Sequence, residues 1–343
     1  MAHVGVLGAG AWGTALGKLL ADKGNEVWLW AHEPSVAEGI ERDRRNDRYF
    51  PEVDLPPNLH GTADPARALE GAELVLLATP SHAMRSVLSD LGPKLPRGVP
   101  WVNAAKGIEN ESLMLAHEIV ADVLGPGVLD HYVALSGPSF ALEVARRHPT
   151  AVVIAGHHDG VVRSVQEAFS NEVFRAYSSN DLCGVELGGA LKNVIAIAAG
   201  ASDGLGFGHN TRAGLITRGL AEIGRLAVKK GASPLTMAGL AGMGDLVLTC
   251  TGDLSRNRTV GFELGRGKTL EEVLKGLGHV AEGVKTARSA HQLAASLGVE
   301  TPIVREAYLV LYENKPARQA VSDLMTRALR AELDFHYVSE PPP

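Results

Sequence analysis

Val4-Gly5-Val6-Leu7-Gly8-Ala9-Gly10-Ala11-Trp12-Gly13 lies almost at the start of the chain, and its reading decides the fold. A short apolar run ending in glycines is the pattern of a strand buried in a parallel sheet. Gly8, Gly10 and Gly13 keep the G-x-G-x-x-G spacing. The first glycine permits a tight turn, the second lets the backbone approach a pyrophosphate closely, and the third lets the next helix pack on the strand. The helix that follows turns its N-terminal amides toward the phosphates. The motif alone is weak, but here it follows a strand and precedes a helical pattern over residues 14–23. That context predicts a nicotinamide dinucleotide site on the turn from Gly8 to Gly13, Ala11 and Trp12 included.

Further strands are predicted over residues 26–30, 74–79, 100–104, 131–135 and 151–155, with helical patterns such as 84–91 and 112–124 between them. Strands alternating with helices imply βαβ units and a parallel sheet. The texture changes after residue 185, where alanine-, leucine- and glycine-rich helical patterns follow, as at 215–230, 269–277 and 285–297. The expected architecture is an α/β Rossmann-type domain over residues 1–185, its sheet mainly parallel. An all-α substrate-binding and catalytic domain follows over 186–335, with a disordered tail over 336–343.

A chain of 343 residues needs more than one simple core. Its net charge of -6 argues against nucleic acid or an anionic membrane as the main partner. Cys183 and Cys250 are too few for a disulfide framework and fit a reducing cytoplasm. The chain enters an apolar strand after Met-Ala-His, with no pattern of a targeting segment. The longest small-apolar stretch, residues 194–201, falls short of a bilayer span. The expectation is a soluble cytoplasmic protein without membrane insertion and without a metal.

Past the second strand stand His32 and Glu33. An acidic residue near this position accepts ribose hydroxyls in NAD sites, whereas His32 suits a 2′-phosphate. The strand end leaves NAD and NADP both open. Arg42, Arg44 and Arg45 lie nearby in sequence and also read as a solvated helix face.

Paired glycines within the helical pattern at 186–194 each cost about 1 kcal/mol relative to alanine, so they need a packing or ligand reason. Lys192 lies there among small apolar residues, beside Asn193. Such a lysine either loses hydration and becomes an acid/base group or reaches out to solvent. The residues alone leave both readings open. Asp245 and Thr249 are four apart and share a face if helical, able to orient a lysine, bind hydroxyls, or cap a helix.

Ser255 reads as an N-cap, followed by Arg256, Asn257 and Arg258. Arginines in a first turn oppose the helix dipole, a conflict that a bound phosphate would resolve. Gly137 and Ser139 lie in a strand, Gly-Pro turn, helix sequence, and Lys106 trails another strand, both at the edge where open α/β sheets hold ligands.

Together these segments resemble bacterial glycerol-3-phosphate dehydrogenases, over residues 8 to about 330. The resemblance rests on GAGAWGTAL from Gly8, Lys106-Gly107, LSGPSFALEVA from Leu135 and the long segment ELGGALKNVIAIAAGASDGLGFGHNTRAGLITRGLAEI from Glu186. GLAGMGDLVLTCT from Gly239, SRNR from Ser255 and Glu282-Gly283 complete it. The segments from Gly239 and Ser255 argue against dehydrogenases of the 6-phosphogluconate or hydroxyisobutyrate type. A purely dinucleotide-sensing module would not need Lys192, Asp245 and Arg256 together.

The resemblance implies hydride transfer between NAD(P)H and dihydroxyacetone phosphate, giving sn-glycerol 3-phosphate for phospholipid synthesis. It makes Lys192 the general acid/base, assisted by Asp245. Substrate contacts would come from Lys106, Gly137, Ser139, Lys192, Asn193, Asp245, Thr249, Ser255, Arg256 and Asn257. The cofactor would be lined by the glycine turn with Ala11 and Trp12, and by His32, Lys106, Ala141, Arg256, Val280 and Glu282. The pattern leaves the oligomeric state open; relatives are often dimers, so the resemblance adds a homodimer as one alternative. Family members often carry arginine where His32 stands, which weakens the expectation of a 2′-phosphate preference here.

Overall fold

The computed structural model describes residues 2–277, 281–329 and 331–332. Val280 and the tail at 336–343 lie outside them. The chain divides into two compact units, Met1–Glu186 and Leu187–Pro343.

In the first unit, eight strands form one sheet: β1 His3–Leu7, β2 Glu26–Trp30, β3 Leu59–Thr62, β4 Leu74–Leu77, β5 Trp101–Asn103, β6 Tyr132–Ser136, β7 Thr150–Gly156 and β8 Phe174–Ser179. Their order is β3-β2-β1-β4-β5-β6-β7-β8. Every pair is parallel except β6 with β7. Val6, Leu7, Leu29 and Leu76 are fully enclosed, as are Leu16 and Leu20 of the helix Ala11–Asp22. Each such side chain contributes about 1.5–3 kcal/mol by burial. The chain passes from β1 outward to β2 and β3, then crosses back to β4 on the other flank of β1. A crevice outside the carboxyl ends of β1 and β4 is where doubly wound sheets hold ligands.

Two strands escaped the sequence. β3 reads Leu-His-Gly-Thr, with too little apolar pattern to stand out. β8 is an edge strand whose alternate residues face outward, so it lacks the continuous run of a buried strand. Helix bounds differ as well. The helix read over 14–23 starts at Ala11, inside the glycine motif. The one read over 112–124 starts only at Ala116, because Leu113 is left-handed (φ 60).

Among the described residues of the second unit there are helices and no strand. They include His209–Lys229, Asp245–Thr251, Arg256–Gly265, Glu282–Leu297 and Pro302–Tyr312. The helix Leu182–Gly204 starts in the last residues of the first unit and continues into the second. It corrects the eight-residue measure of apolarity, because its 23 residues are long and apolar enough to cross a membrane, with mean hydropathy 1.5. Its most apolar window is 89% buried inside the protein, which marks a core helix. One of its paired glycines has a packing reason: a Cβ at Gly188 would stand 2.5 Å from the Ala241 carbonyl oxygen.

Candidate active site

In the first unit the glycine turn is built as its spacing requires. Gly8 is left-handed (φ +123), and a Cβ at Gly13 would stand 1.9 Å from the Gly8 carbonyl oxygen. Gly10 is different, because its backbone suits any residue (φ -68, ψ 179) and a Cβ there would meet no protein atom within 4 Å. Packing does not demand glycine at that position, and the space beside it is open. The helix Ala11–Asp22 opens from Gly10 with no side-chain cap and no acidic residue in its first turn, which leaves its amides to an anion. The Trp12 indole nitrogen is buried without a hydrogen-bond partner. These residues fit the pyrophosphate of a dinucleotide.

Asn46 holds this turn, donating to the Ala9 carbonyl at 3.0 Å and to the Thr14 hydroxyl at 2.8 Å. Sequence reasoning missed it, since nothing local ties residue 46 to residue 9. Past β2, His32 is exposed and meets Trp30 edge-on at 6.2 Å. Glu33 accepts from Arg48 at 2.8 Å. The other nearby arginines have different partners: Arg42 pairs with Asp43, Arg44 with the Leu59 carbonyl and Arg45 with Asp54.

Lys106, Gly137, Ser139 and Trp12 come together. The Lys106 ammonium donates to the Gly137 carbonyl at 3.2 Å and stands 5.9 Å from the centre of the Trp12 ring. The Ser139 hydroxyl donates to the same carbonyl at 2.9 Å. Ala141 begins the short helix Ala141–Ala145 just beyond. Behind β5, the buried Glu186 carboxylate accepts from Tyr132 at 2.6 Å and from Asn103 at 3.4 Å, and lies 2.7 Å from His117 Nδ1. Burial, and then the neighbouring Glu186 charge, hold the Tyr132 hydroxyl protonated well above the usual range. Asn103 also accepts from the Ala105 amide at 3.0 Å, which shapes the turn leading to Lys106.

In the second unit, Lys192 does not reach solvent; it is 7% exposed. Its ammonium donates to Asp245 Oδ1 and, at 3.0 Å, to Thr249 Oγ1. Asp245 is the first residue of the helix Asp245–Thr251, so Thr249 stands one turn on and on the same face. The expected isolation among apolar groups gives way to an ion pair. Cys250 on that helix is enclosed, and burial pushes its thiol up to about 12.

Ser255 is an N-cap, its hydroxyl accepting from the Arg258 amide at 3.2 Å. Arg258 is neutralised by Asp203 at 3.0 Å and Asp253 at 3.1 Å. The conflict with the helix dipole therefore falls on Arg256 alone, which is exposed and makes no ion pair or side-chain hydrogen bond among the described residues. Asn257 donates to Asn193 at 2.9 Å and accepts from the Gly283 amide at 3.0 Å, beside Glu282 at the head of Glu282–Leu297. No hydrogen bond or ion pair joins Arg256 to the Lys192 group among the described residues.

Two family models cover most of the chain: NAD-dependent glycerol-3-phosphate dehydrogenase N-terminus over residues 3–162, and its C-terminus over 181–322. The chain belongs to the NAD-dependent glycerol-3-phosphate dehydrogenase family. Among curated relatives, a glycerol-3-phosphate dehydrogenase (NAD(P)+) of Anaeromyxobacter dehalogenans is 55% identical over 96% of this chain and 99% of its own length. That of Geobacter sulfurreducens is 56% identical over 96% and 98%. A solved glycerol-3-phosphate dehydrogenase from Coxiella burnetii superposes with a TM-score of 0.90 at 39% identity, covering 94% of this chain and 98% of that one. The family resemblance read from the motifs is thereby shown, as is the Rossmann-type sheet followed by helices. Among the described residues, no group of three or more histidines, cysteines and acids could hold a metal ion.

Proposed function

We propose that this chain catalyses sn-glycerol 3-phosphate + NAD(P)+ = dihydroxyacetone phosphate + NAD(P)H + H+, supplying glycerol 3-phosphate for phospholipid synthesis. The observation that carries the reading is the buried Lys192 ammonium, held by Asp245 and Thr249 in a chain of this family. The first unit is the dinucleotide-binding domain, with the turn from Gly8 to Gly13, His32, Lys106 and Ala141 lining the cofactor. The family resemblance adds Arg256, Glu282 and Val280 as cofactor contacts, Val280 lying outside the described residues. The bound dinucleotide supplies the hydride that reaches the C2 carbonyl.

Lys192 is the proton donor to the oxygen at C2 as charge develops there. Its two partners restrict where the ammonium points, and a positioned acid of this kind contributes about 10²–10⁴-fold. Asp245 neutralises the buried cation, and Thr249 offers it a lone pair because its own proton goes to the Asp245 carbonyl at 2.6 Å. Arg256 and the amides after Ser255 hold the substrate phosphate, which orients the carbonyl. Lys106, Gly137, Ser139, Asn193 and Asn257 complete the substrate contacts in this reading. Two cysteines that form no disulfide support a cytoplasmic enzyme.

Initial rates with dihydroxyacetone phosphate, run with NADH and NADPH side by side, test the proposal. Saturable oxidation of a reduced dinucleotide is the expected result. Its absence with both overturns the reading.

A further inference from the structure

The end of β2 carries a feature that the reaction itself does not use. Glu33 stands at the N-cap position of the short helix Pro34–Glu38, yet its carboxylate caps no amide. It accepts from Arg48 Nη1 at 2.8 Å instead. The two side chains are 44% and 40% exposed, so solvent reaches both. Arg48 also stands two residues beyond Asn46, whose amide is fastened to the Ala9 carbonyl of the glycine turn. The guanidinium is therefore carried on a segment fixed to the dinucleotide turn, and the carboxylate follows the strand beside it.

NAD and NADP differ at one place on the adenosine ribose. NAD presents hydroxyls, which donate to a carboxylate. NADP presents a phosphate dianion, which a bare carboxylate repels and a guanidinium binds through two parallel hydrogen bonds. An exposed ion pair is worth only about 0–1 kcal/mol, so either partner can be drawn away at little cost. We infer that the Glu33–Arg48 pair is the selector for the adenosine ribose, with Glu33 taking the hydroxyls of NAD and Arg48 the 2′-phosphate of NADP. The inference rests on the proposed dinucleotide site. It accounts for the ambiguity of the strand end: both chemistries are present, and each masks the other until a cofactor arrives.

Fluorescence titration of the full chain with NADH and with NADPH, without substrate, reads the selector apart from catalysis. Arg48→Ala is expected to shift the ratio of the two dissociation constants toward NADH by about tenfold or more, the scale of a lost charge-assisted hydrogen bond. Glu33→Gln is expected to shift that ratio toward NADPH. A ratio that Arg48→Ala leaves unchanged, with both cofactors still bound by the wild type, overturns the selector alone. Binding of neither dinucleotide by the wild type overturns the selector and the proposed cofactor site together.

Discussion

The Thr249 hydroxyl accepts from the Lys192 ammonium at 3.0 Å while it donates to the backbone of its own helix. The hydroxyl proton is thereby directed away from Lys192, and a lone pair is left for the ammonium. Thr249→Val keeps the shape and deletes that acceptor. Removing one acceptor from a buried ammonium costs about 1–3 kcal/mol, so kcat should fall about 10- to 100-fold while the dissociation constant for NADH holds. Single-turnover rates alongside NADH titration check this. A kcat close to that of the wild type would assign the positioning of Lys192 to Asp245 alone.

Lys192 itself calls for a paired design. Lys192→Ala removes the cation beside the Asp245 carboxylate, which is 1% exposed, and breaking a buried ion pair from one side costs about 3–5 kcal/mol. The double variant Lys192→Met with Asp245→Asn removes both charges together. It should melt near the wild type and still bind NADH, yet lose about 10²–10⁴-fold in kcat. Retained turnover in this folded variant would rule out Lys192 as the proton donor.

Arg256 is the exposed cation at the first position of Arg256–Gly265, with Ser255 before it capping the Arg258 amide. Arg256→Ala should raise KM for dihydroxyacetone phosphate steeply, with less effect on kcat, and should abolish competition by inorganic phosphate. The same change at Arg258 reads differently, because that side chain is bound to Asp203 and its loss would reach stability first. Steady-state kinetics with a phosphate series distinguish the two. An unchanged KM in Arg256→Ala removes the phosphate site.

Gly10 and Gly13 separate folding from binding on one turn. Gly13→Ala drives a Cβ into the Gly8 carbonyl oxygen, whereas Gly10→Ala meets no protein atom within 4 Å. Gly10→Ala should therefore melt near the wild type and lose affinity for NADH, while Gly13→Ala should lose thermal stability. A Gly10→Ala chain that binds NADH normally would show that the pyrophosphate lies elsewhere.

Local signals made much of this legible. The strand and the glycines from Val4 to Gly13 announce themselves because burial and turn geometry act on adjacent residues. Ser255 was readable as a cap for the same reason. Asp245 and Thr249 were readable as residues able to orient a lysine, but the residues alone left other roles open, because Asp245 lies 53 residues from Lys192 and only the packing of two helices brings them together. Asn46, Arg48 and Glu186 were invisible on the same ground: each acts through contacts made across the fold. β3 and β8 were missed because an edge position relaxes the demand for apolar residues.

Glu222 offers a test of the second unit that is independent of catalysis. Its carboxyl group is 3% exposed and accepts from the Ile303 amide at 2.8 Å and the Val304 amide at 3.2 Å, at the head of Pro302–Tyr312. Burial outweighs those two hydrogen bonds and pushes the group up from 4.5 to about 7. The folded chain thus holds the proton more tightly than the unfolded chain does. The stability this confers is fully present below pH 4.5 and is lost as pH rises through about 7. The span corresponds to about 3 kcal/mol as an upper bound. Glu222→Gln keeps an acceptor for the helix amides and removes the titration. In urea denaturation, the wild type should therefore lose stability relative to Glu222→Gln between about pH 5 and about pH 8. A difference between the two chains that stays flat over that interval would show that the buried carboxyl group does not titrate there.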